Sequence, residues 1–272
     1  LSIVFCVLFI GFCFYQYFAY KKFILPDSAS YHGVFIDNMN NWSLLAISLV
    51  FIIMNVLIFY LSYKYRSQKN SKASFITHDN KLELLWTIIP GIILTAYILY
   101  GLNIWSKVMH PTEEDPMAIE IYAQQFAWTG RYAGEDNILG SYHYTLVDKD
   151  NVLGVDSNDV NSDDDVVVKE IHIPIDEPIM LKFRSQDVIH SAYLPHFRVQ
   201  MNCVPGLETS FMFTPIKTTE QMRLELKDPN FDYVLLCNKI CGSAHFNMQM
   251  KFVVETREEF NEWISQQKKF KE

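Results

Sequence analysis

The sequence lacks the features of a disulfide-stabilised protein and of a nucleic-acid-binding protein. Only five of its 272 residues are cysteines, and two of them, Cys6 and Cys13, lie in an apolar segment. So few cysteines at such irregular positions do not make a disulfide framework. The 23 lysines and arginines are outnumbered by 31 acidic residues, which gives a net charge of −8. Because phosphate binding requires clustered basic side chains, this balance argues against nucleic acid and suits a basic protein partner.

Apolar residues make up half of the sequence, but they are concentrated in the first hundred positions. A bilayer core is crossed by about 20 apolar residues in a helix, and the stretches 1–20, 42–63 and 82–105 meet that requirement. The last two predict a transmembrane helical hairpin over residues 42–105. Residues 1–20 are either a signal segment or an additional N-terminal transmembrane helix. We expect a retained helix.

The loop between the second and third apolar segments sets the orientation in the membrane. It carries five basic residues, namely Lys64, Arg66, Lys69, Lys72 and Lys81. Short basic loops face the cytoplasm, so the third segment runs outward. Everything after it is predicted to lie on the non-cytoplasmic side.

Residues 117–268 have the pattern of an all-β external domain. Short runs rich in β-branched and aromatic residues, separated by Pro, Gly and Asp, predict strands at 119–126, 166–173, 179–183, 188–194, 222–226 and 248–254. Many short strands without intervening helices are typical of a sandwich or barrel. A final helix is predicted from Thr256, where Thr-x-x-Glu forms a capping box, to about Gln267.

An acid-rich stretch, residues 148–165, interrupts this pattern. It contains the run Asp163-Asp164-Asp165 and four further aspartates. A solvated surface loop is the plainest interpretation. A docking surface for a basic partner is a second one, and a calcium site is a third, although the spacing matches no known ligand loop.

The most informative segment places two cysteines, a histidine and a methionine within a dozen positions. Cys237, Cys241, His245 and Met248 form the pattern Cys-x3-Cys-x3-His-x2-Met. Thiolates and thioethers are soft donors, and methionine ligates little besides copper and haem iron. Zinc sites have no use for methionine, and the Cys-x-x-Cys-His pattern of haem attachment is absent. Copper fits best, with a disulfide between the two cysteines as the alternative.

His190 follows a strand-like run and is a candidate fifth side-chain ligand. A blue single-copper site uses one cysteine, two histidines and a methionine. If the fold brings His190 to the cysteine loop, the second cysteine is in excess and allows two bridged copper ions. The alternative is a structural histidine on a strand.

These residues resemble the binuclear copper (CuA) motif of cytochrome c oxidase subunit II. The similarity spans roughly residues 42–268 and includes Leu-Glu-Leu-Leu-Trp-Thr-Ile-Ile-Pro at 82–90, the aromatic segment 125–132 and residues 187–206. It implies a cupredoxin-like domain after a two-helix membrane hairpin. It also implies six copper-ligand positions: bridging thiolates at Cys237 and Cys241, terminal ligands at His190, His245 and Met248, and the backbone carbonyl of Lys239.

The resemblance further implies a function and its partners. The two copper ions would accept electrons from a cytochrome c, or a cytochrome c domain, and pass them to a haem in subunit I. Oxygen would be reduced to water there, coupled to proton translocation. Expected partners are subunit I, further oxidase subunits and the lipid of an energy-transducing membrane such as the bacterial inner membrane. Glu83 matches a residue at the mouth of a proton path into subunit I; a charge at the membrane interface is its alternative interpretation.

Two positions depart from the family pattern. Many members have an acidic residue between the cysteines that helps to bind magnesium, whereas this sequence has Lys239. Magnesium is therefore doubtful, or held by subunit I alone. The aromatic residue through which electrons enter the family's copper centre aligns with Phe126 and is not a tryptophan here. Trp128, two positions on, is retained, so either could receive electrons, and Trp128 could equally be a core residue.

Three other functions are less compatible with the sequence. A thioredoxin-fold copper-delivery protein needs alternating strands and helices, which the pattern does not show. A quinol oxidase subunit II would lack the cysteines. The copper domain of nitrous oxide reductase accompanies a propeller that a chain of 272 residues cannot hold.

Overall fold

Two compact units make up the chain in a computed structural model, which describes residues 2–23, 25–69, 72, 75–109 and 115–271. One unit combines residues 1–25 with 37–103, and the other combines residues 26–36 with 104–272. The first is helical and the second is mainly β-sheet.

The helical unit is built from α1 (Ser2–Phe23), α2 (Tyr31–Lys64) and α3 (Asn80–Met109). The first turn of α2 and the end of α3 from residue 104 belong to the β unit. Within the described residues, Tyr31–Lys64 and Asn80–Lys107 are the two helices long and apolar enough to cross a membrane, at 34 and 28 residues. Both exceed the ~20 residues that a bilayer requires. The helix α1 holds a shorter apolar stretch, Val7–Ala19; Leu1, where that predicted segment starts, lies outside the described residues. The predicted membrane hairpin is confirmed.

Side chains hold the three helices of this unit together. The Tyr97 hydroxyl on α3 donates to the Met39 carbonyl on α2 at 3.2 Å and also contacts the Ser43 hydroxyl. The rings of Phe9 on α1 and Phe51 on α2 lie 5.4 Å apart. The contacts of the Tyr97 hydroxyl satisfy polar groups that lipid would leave unpaired.

Among the described residues, the β unit contains ten strands in two five-stranded sheets. The strands are β1 (Met117–Gln124), β2 (Ala127–Tyr132), β3 (Val166–Val168), β4 (Ile171–Pro174), β5 (Ile179–Ser185), β6 (His190–Leu194), β7 (Val199–Cys203), β8 (Thr209–Phe213), β9 (Tyr233–Cys237) and β10 (Gln249–Glu255). One sheet has the order β3-β2-β1-β5-β8 and the other β4-β10-β9-β6-β7. Two pairs, β1 with β5 and β4 with β10, are parallel, and the other pairs are antiparallel.

The hydrophobic core of the β unit combines buried side chains from both sheets. Ile121 and Phe183 from the first sheet and Leu235 and Phe252 from the second belong to one buried cluster. Two sheets that enclose a single core make a sandwich. The predicted all-β cupredoxin-like domain is therefore confirmed.

One predicted strand is wrong. Residues 222–226 form part of the helix α4 (Thr219–Leu226). The alternation of Met222, Leu224 and Leu226 imitates the period of a strand, but Thr218 and Gln221 form a capping box that starts a helix. Only Met222 is buried, whereas Leu224 and Leu226 are exposed.

A second prediction merged two strands into one. Residues 166–173 contain β3, which pairs with β2, and β4, which pairs with β10 in the other sheet. The pair Lys169-Glu170 separates them. The strands β2, β7, β8 and β9 were not predicted individually. The final helix is confirmed as α5 (Arg257–Ser265), with the Thr256–Glu259 capping box in place.

The acid-rich stretch 148–165 is a surface loop with buried anchor points. Its carboxylates accept backbone amides within the loop: Asp148 Oδ1 accepts from the amides of residues 150 and 151, and Asp156 Oδ1 accepts from residue 158. Leu153 and Val155 are buried against Tyr122. These local hydrogen bonds explain how a chain so rich in aspartate keeps an ordered path.

A buried ionic network fastens the end of this loop to the sheet. The Arg131 guanidinium donates to Glu120 Oε2 at 2.6 Å and to Asp165 Oδ2 at 2.9 Å. Arg184 contacts the other oxygen of Glu120. Arg131, Glu120 and Asp165 are at most 1% exposed. Burial raises the pKa of Asp165 to about 6, although the neighbouring Arg131 acts in the opposite direction.

Candidate metal centre

Pairing of β6 with β9 brings the two predicted ligand segments together. Ala192 on β6 lies opposite Cys237, the last residue of β9. His190 is the first residue of β6 and is fully buried. Beyond Cys237, the chain leaves the sheet as a loop and returns at β10, and the Cys237 amide donates to the Met248 carbonyl at 3.1 Å. The loop therefore folds back over the end of β9.

All six predicted ligand groups meet at this end of the sandwich. The Sγ atoms of Cys237 and Cys241 lie 3.9 Å apart. Four further groups contact one sulfur or the other: His190 Nδ1 lies 3.8 Å from Cys237, the Lys239 carbonyl 3.3 Å from Cys237, His245 Nδ1 3.7 Å from Cys241, and Met248 Sδ 3.8 Å from Cys241. The two cysteines thus occupy the middle, with a histidine beside each.

The chemistry of this donor set fits copper. Two thiols, two imidazole nitrogens, a thioether and a carbonyl combine soft and borderline donors, which suits copper better than zinc. A disulfide sulfur–sulfur bond is about 2.05 Å long, so the 3.9 Å separation leaves both cysteines free. The alternative of a disulfide is not what the structure adopts.

Burial shapes the protonation of the site. Cys241 and Met248 are 6% and 2% exposed. Burial, together with the adjacent Cys237, raises the pKa of the Cys241 thiol to about 11. Without metal the thiol therefore keeps its proton at neutral pH. Because metals bind thiolates, loading this site must release protons.

Asp187 orients the imidazole of His190. Its Oδ1 lies 2.9 Å from His190 Nε2, so Nδ1 is the nitrogen that faces the sulfurs. Burial tends to raise the pKa of Asp187, but hydrogen bonds with His190 and with the amides of Gln125 and Val188 lower it overall. A carboxylate on the far nitrogen of a ligand histidine is typical of metal sites. The spacing Asp-x-x-His, visible at residues 187–190 of the sequence, is the signal from which this partner of His190 could have been predicted.

The other predicted functional residues lie in three different settings. Trp128 is 3% exposed, and its ring centroid lies 6.1 Å from that of His190. Phe126 is half-buried in the turn between β1 and β2, beside the ligand loop. Glu83 is exposed in the first turn of α3 and belongs to the helical unit, so it is not part of this cluster.

Comparison with known proteins gives consistent matches over both units. Residues 18–104 match the model of the cytochrome c oxidase subunit II transmembrane domain, and residues 117–256 match that of its periplasmic domain. The alternative cytochrome c oxidase subunit 2 of Bradyrhizobium diazoefficiens is 30% identical over 87% of this chain and 81% of that protein. Cytochrome c oxidase subunit 2 of Thermostichus vulcanus is 24% identical over 89% of this chain and 78% of that protein.

A solved structure was also matched, that of the periplasmic domain of subunit II of cytochrome oxidase (CoxB) of Bradyrhizobium japonicum. It is 22% identical and covers 56% of this chain and 94% of that chain, with a TM-score of 0.38.

Proposed function

The chain belongs to the cytochrome c oxidase subunit II family, so it is an integral membrane subunit of an oxidoreductase with its β domain outside the cytoplasm, and we propose that this domain holds a pair of copper ions. The observation that carries the proposal is the convergence of two free cysteines, two histidines and a methionine at one end of the sandwich. When bound, the copper pair accepts one electron at a time from a donor and passes it to a haem of subunit I.

Each side chain has a defined part in this proposal. Cys237 and Cys241 would hold the copper as thiolates, because they occupy the middle of the cluster. His190 and His245 would each bind at one side, with the Lys239 carbonyl beside the first and Met248 beside the second. The fold holds the ligands in these positions before the metal binds. A change in the charge of the copper ions would therefore require little movement of the ligands. Small rearrangement favours rapid electron transfer.

Magnesium is not part of the proposed centre. Lys239 carries an ammonium at the position where the family's acidic magnesium ligand stands, and its side chain is exposed. A cation repels a second cation, so this chain offers no side-chain ligand there. If the assembled oxidase holds magnesium near this surface, subunit I alone supplies the ligands.

The rim of the centre is suited to contact with subunit I. Ile240 and Phe246 flank the ligands and are 84% and 88% exposed in the isolated chain. Large apolar side chains exposed next to a functional site mark an interaction surface. We assign this rim to the subunit I interface, across which the electron leaves.

The electron donor is proposed to be a basic cytochrome c or cytochrome c domain. A groove of about 560 Å³ has three tyrosines, Leu207, Gln186 and Arg184 among its lining residues. Gln186 directly precedes Asp187, the carboxylate that holds His190. Val147, another lining residue, leads into the acid-rich loop 148–165. Apolar surface next to negative charge is complementary to a basic protein with an apolar centre.

Reduction of the copper centre by reduced cytochrome c tests this proposal. At low ionic strength the second-order rate should be fast, and it should fall steeply as salt is added, because charge steers the encounter. Asp150→Asn in the loop should lower the low-salt rate about twofold. The matched control is Glu258→Gln on α5, an exposed acid on a helix that packs against β4, which should leave the rate unchanged. If the two variants lower the rate equally, the loop 148–165 is not part of the docking surface.

Glu83 is proposed to feed protons toward subunit I. It lies in the first turn of α3 on the cytoplasmic side, where its carboxylate is exposed. Asp79 caps this helix through the amides of residues 81 and 82, so Glu83 is not needed for the helix to start. Glu83→Ala should slow oxygen consumption by the assembled oxidase about tenfold while copper content stays unchanged. Glu83→Asp, which keeps the carboxylate, should retain most of the activity. Unchanged turnover in the alanine variant would exclude this role.

A further inference from the structure

The two-residue turn between β1 and β2 touches both ligand-bearing segments of the metal centre. The Gln125 amide donates to Asp187 Oδ2 at 2.7 Å, and Asp187 in turn holds His190. The Gln125 side-chain amide donates to the Cys241 carbonyl. One residue thus contacts the histidine segment through its backbone and the cysteine loop through its side chain.

Phe126 adds a packing contact to the same loop. A Cβ placed on Gly242 would lie 2.8 Å from both Cε1 and Cζ of Phe126, so the ring rests directly against the glycine backbone. Gly242 also has φ of +150°, a conformation that residues with side chains rarely adopt. Glycine after Cys241 is therefore what allows the turn to approach the loop this closely.

Cys241 needs a contact from outside the cysteine loop to fix its position. Cys237 is held by the ladder between β6 and β9, but Cys241 lies four residues beyond, outside any strand. Its position decides the sulfur–sulfur distance and the contacts to His245 and Met248. A hydrogen bond to its carbonyl from outside the loop limits how far the sulfur can move.

We infer that Gln125 is a positioning residue for the metal centre, whose side-chain amide fixes the Cys241 segment against the Asp187–His190 segment. This inference rests on the proposed copper function and deepens it. Gln125 does not touch the metal. Its carboxamide acts through the backbone of a ligand, and because it is exposed on the surface, its loss should disturb the centre without disturbing the hydrophobic core.

Gln125→Met tests the inference, because methionine keeps the length of the side chain and removes the donor. In the copper-loaded full-length protein, loss of copper to a chelator should become about three- to tenfold faster, the effect of one missing hydrogen bond. The electron paramagnetic resonance signal should change its copper hyperfine splitting. Gln125→Glu, whose carboxylate cannot donate to the Cys241 carbonyl, should behave like the methionine variant. Gln200→Met, at an exposed position on β7, is the matched control and should match the wild type in both measurements.

A second measurement on metal-free protein separates this inference from the copper proposal. The buried Cys241 thiol should be alkylated about three- to tenfold faster in Gln125→Met than in the wild type or in Gln200→Met, as read by peptide mass spectrometry. This experiment succeeds or fails whether or not the wild type binds two copper ions. If both Gln125 variants are alkylated and lose copper at wild-type rates, Gln125 is not a positioning residue.

Discussion

Replacement of Cys241 by serine is expected to abolish the paired copper centre and to lower oxidase turnover by more than about 100-fold. Cys241 contacts three of the proposed ligands: its sulfur lies 3.9 Å from Cys237, 3.7 Å from His245 and 3.8 Å from Met248. A serine hydroxyl is a hard donor that stays protonated at neutral pH. It can therefore neither bridge two copper ions nor compensate their charge.

Cys203→Ala is the matched control for that experiment. Cys203 is also fully buried, and it lies opposite His190 in the β6–β7 pair. Burial raises the pKa of its thiol to about 12, so it stays protonated, and it is not a member of the ligand cluster. Copper content and turnover should remain near wild type. Loss of copper in the control and retention in the serine variant would mean that the ligands are wrongly assigned.

The second large effect is expected on stability, from Arg131→Met. Arg131 neutralises Glu120 and Asp165 in the interior of the β unit. Glu120 keeps Arg184 as a partner in the variant, but Asp165 loses its only ion-pair partner among the described residues. Removing one member of a buried ionic network leaves an uncompensated charge and costs about 3–5 kcal/mol in the free energy of unfolding.

The pH dependence of this effect follows from Asp165. Its pKa in the folded protein, about 6, lies above its ordinary value of 3.8, so the folded state binds more protons and stability falls as pH rises through that interval. Without Arg131 the pKa rises further, so the decline extends to higher pH. Denaturant unfolding of the full chain in detergent at pH 5 and pH 8 should show the larger loss at pH 8.

Lys271→Met provides the comparison for the stability experiment. Lys271 pairs with Asp163 at 2.5 Å, but these side chains are 49% and 42% exposed. Exposed pairs contribute less than about 1 kcal/mol. If Arg131→Met costs no more than this variant, the buried network does not stabilise the fold.

The sequence was sufficient for the features that depend on local pattern. Long apolar runs predicted the membrane helices because about 20 apolar residues in a helix match the thickness of a bilayer core. The spacing from Cys237 to Met248 predicted a metal loop because soft donors rarely cluster without a metal. The contribution of His190 was a weaker prediction, since 47 positions separate it from Cys237, and only the pairing of β6 with β9 brings the two together.

What could not be predicted depends on tertiary contacts. The alternating apolar residues of α4 predict a strand, whereas the capping hydrogen bonds of Thr218 start a helix there. In the sequence, Asp165 is one of several acids in a stretch that predicts a solvated loop. In the structure it is buried, because Arg131 neutralises it. Gln125 belongs to the segment 125–132 of the family resemblance, but its positioning role could not be predicted, because it depends on contacts with two chain segments that are distant in sequence.

We propose that five side chains from two distant segments hold two copper ions that share one electron. Copper quantification combined with electron paramagnetic resonance on the purified full-length protein tests it most directly. We expect two copper ions per chain and a hyperfine pattern produced by one unpaired electron on two equivalent copper nuclei. A single copper with the pattern of one nucleus, or zinc in place of copper, would contradict it.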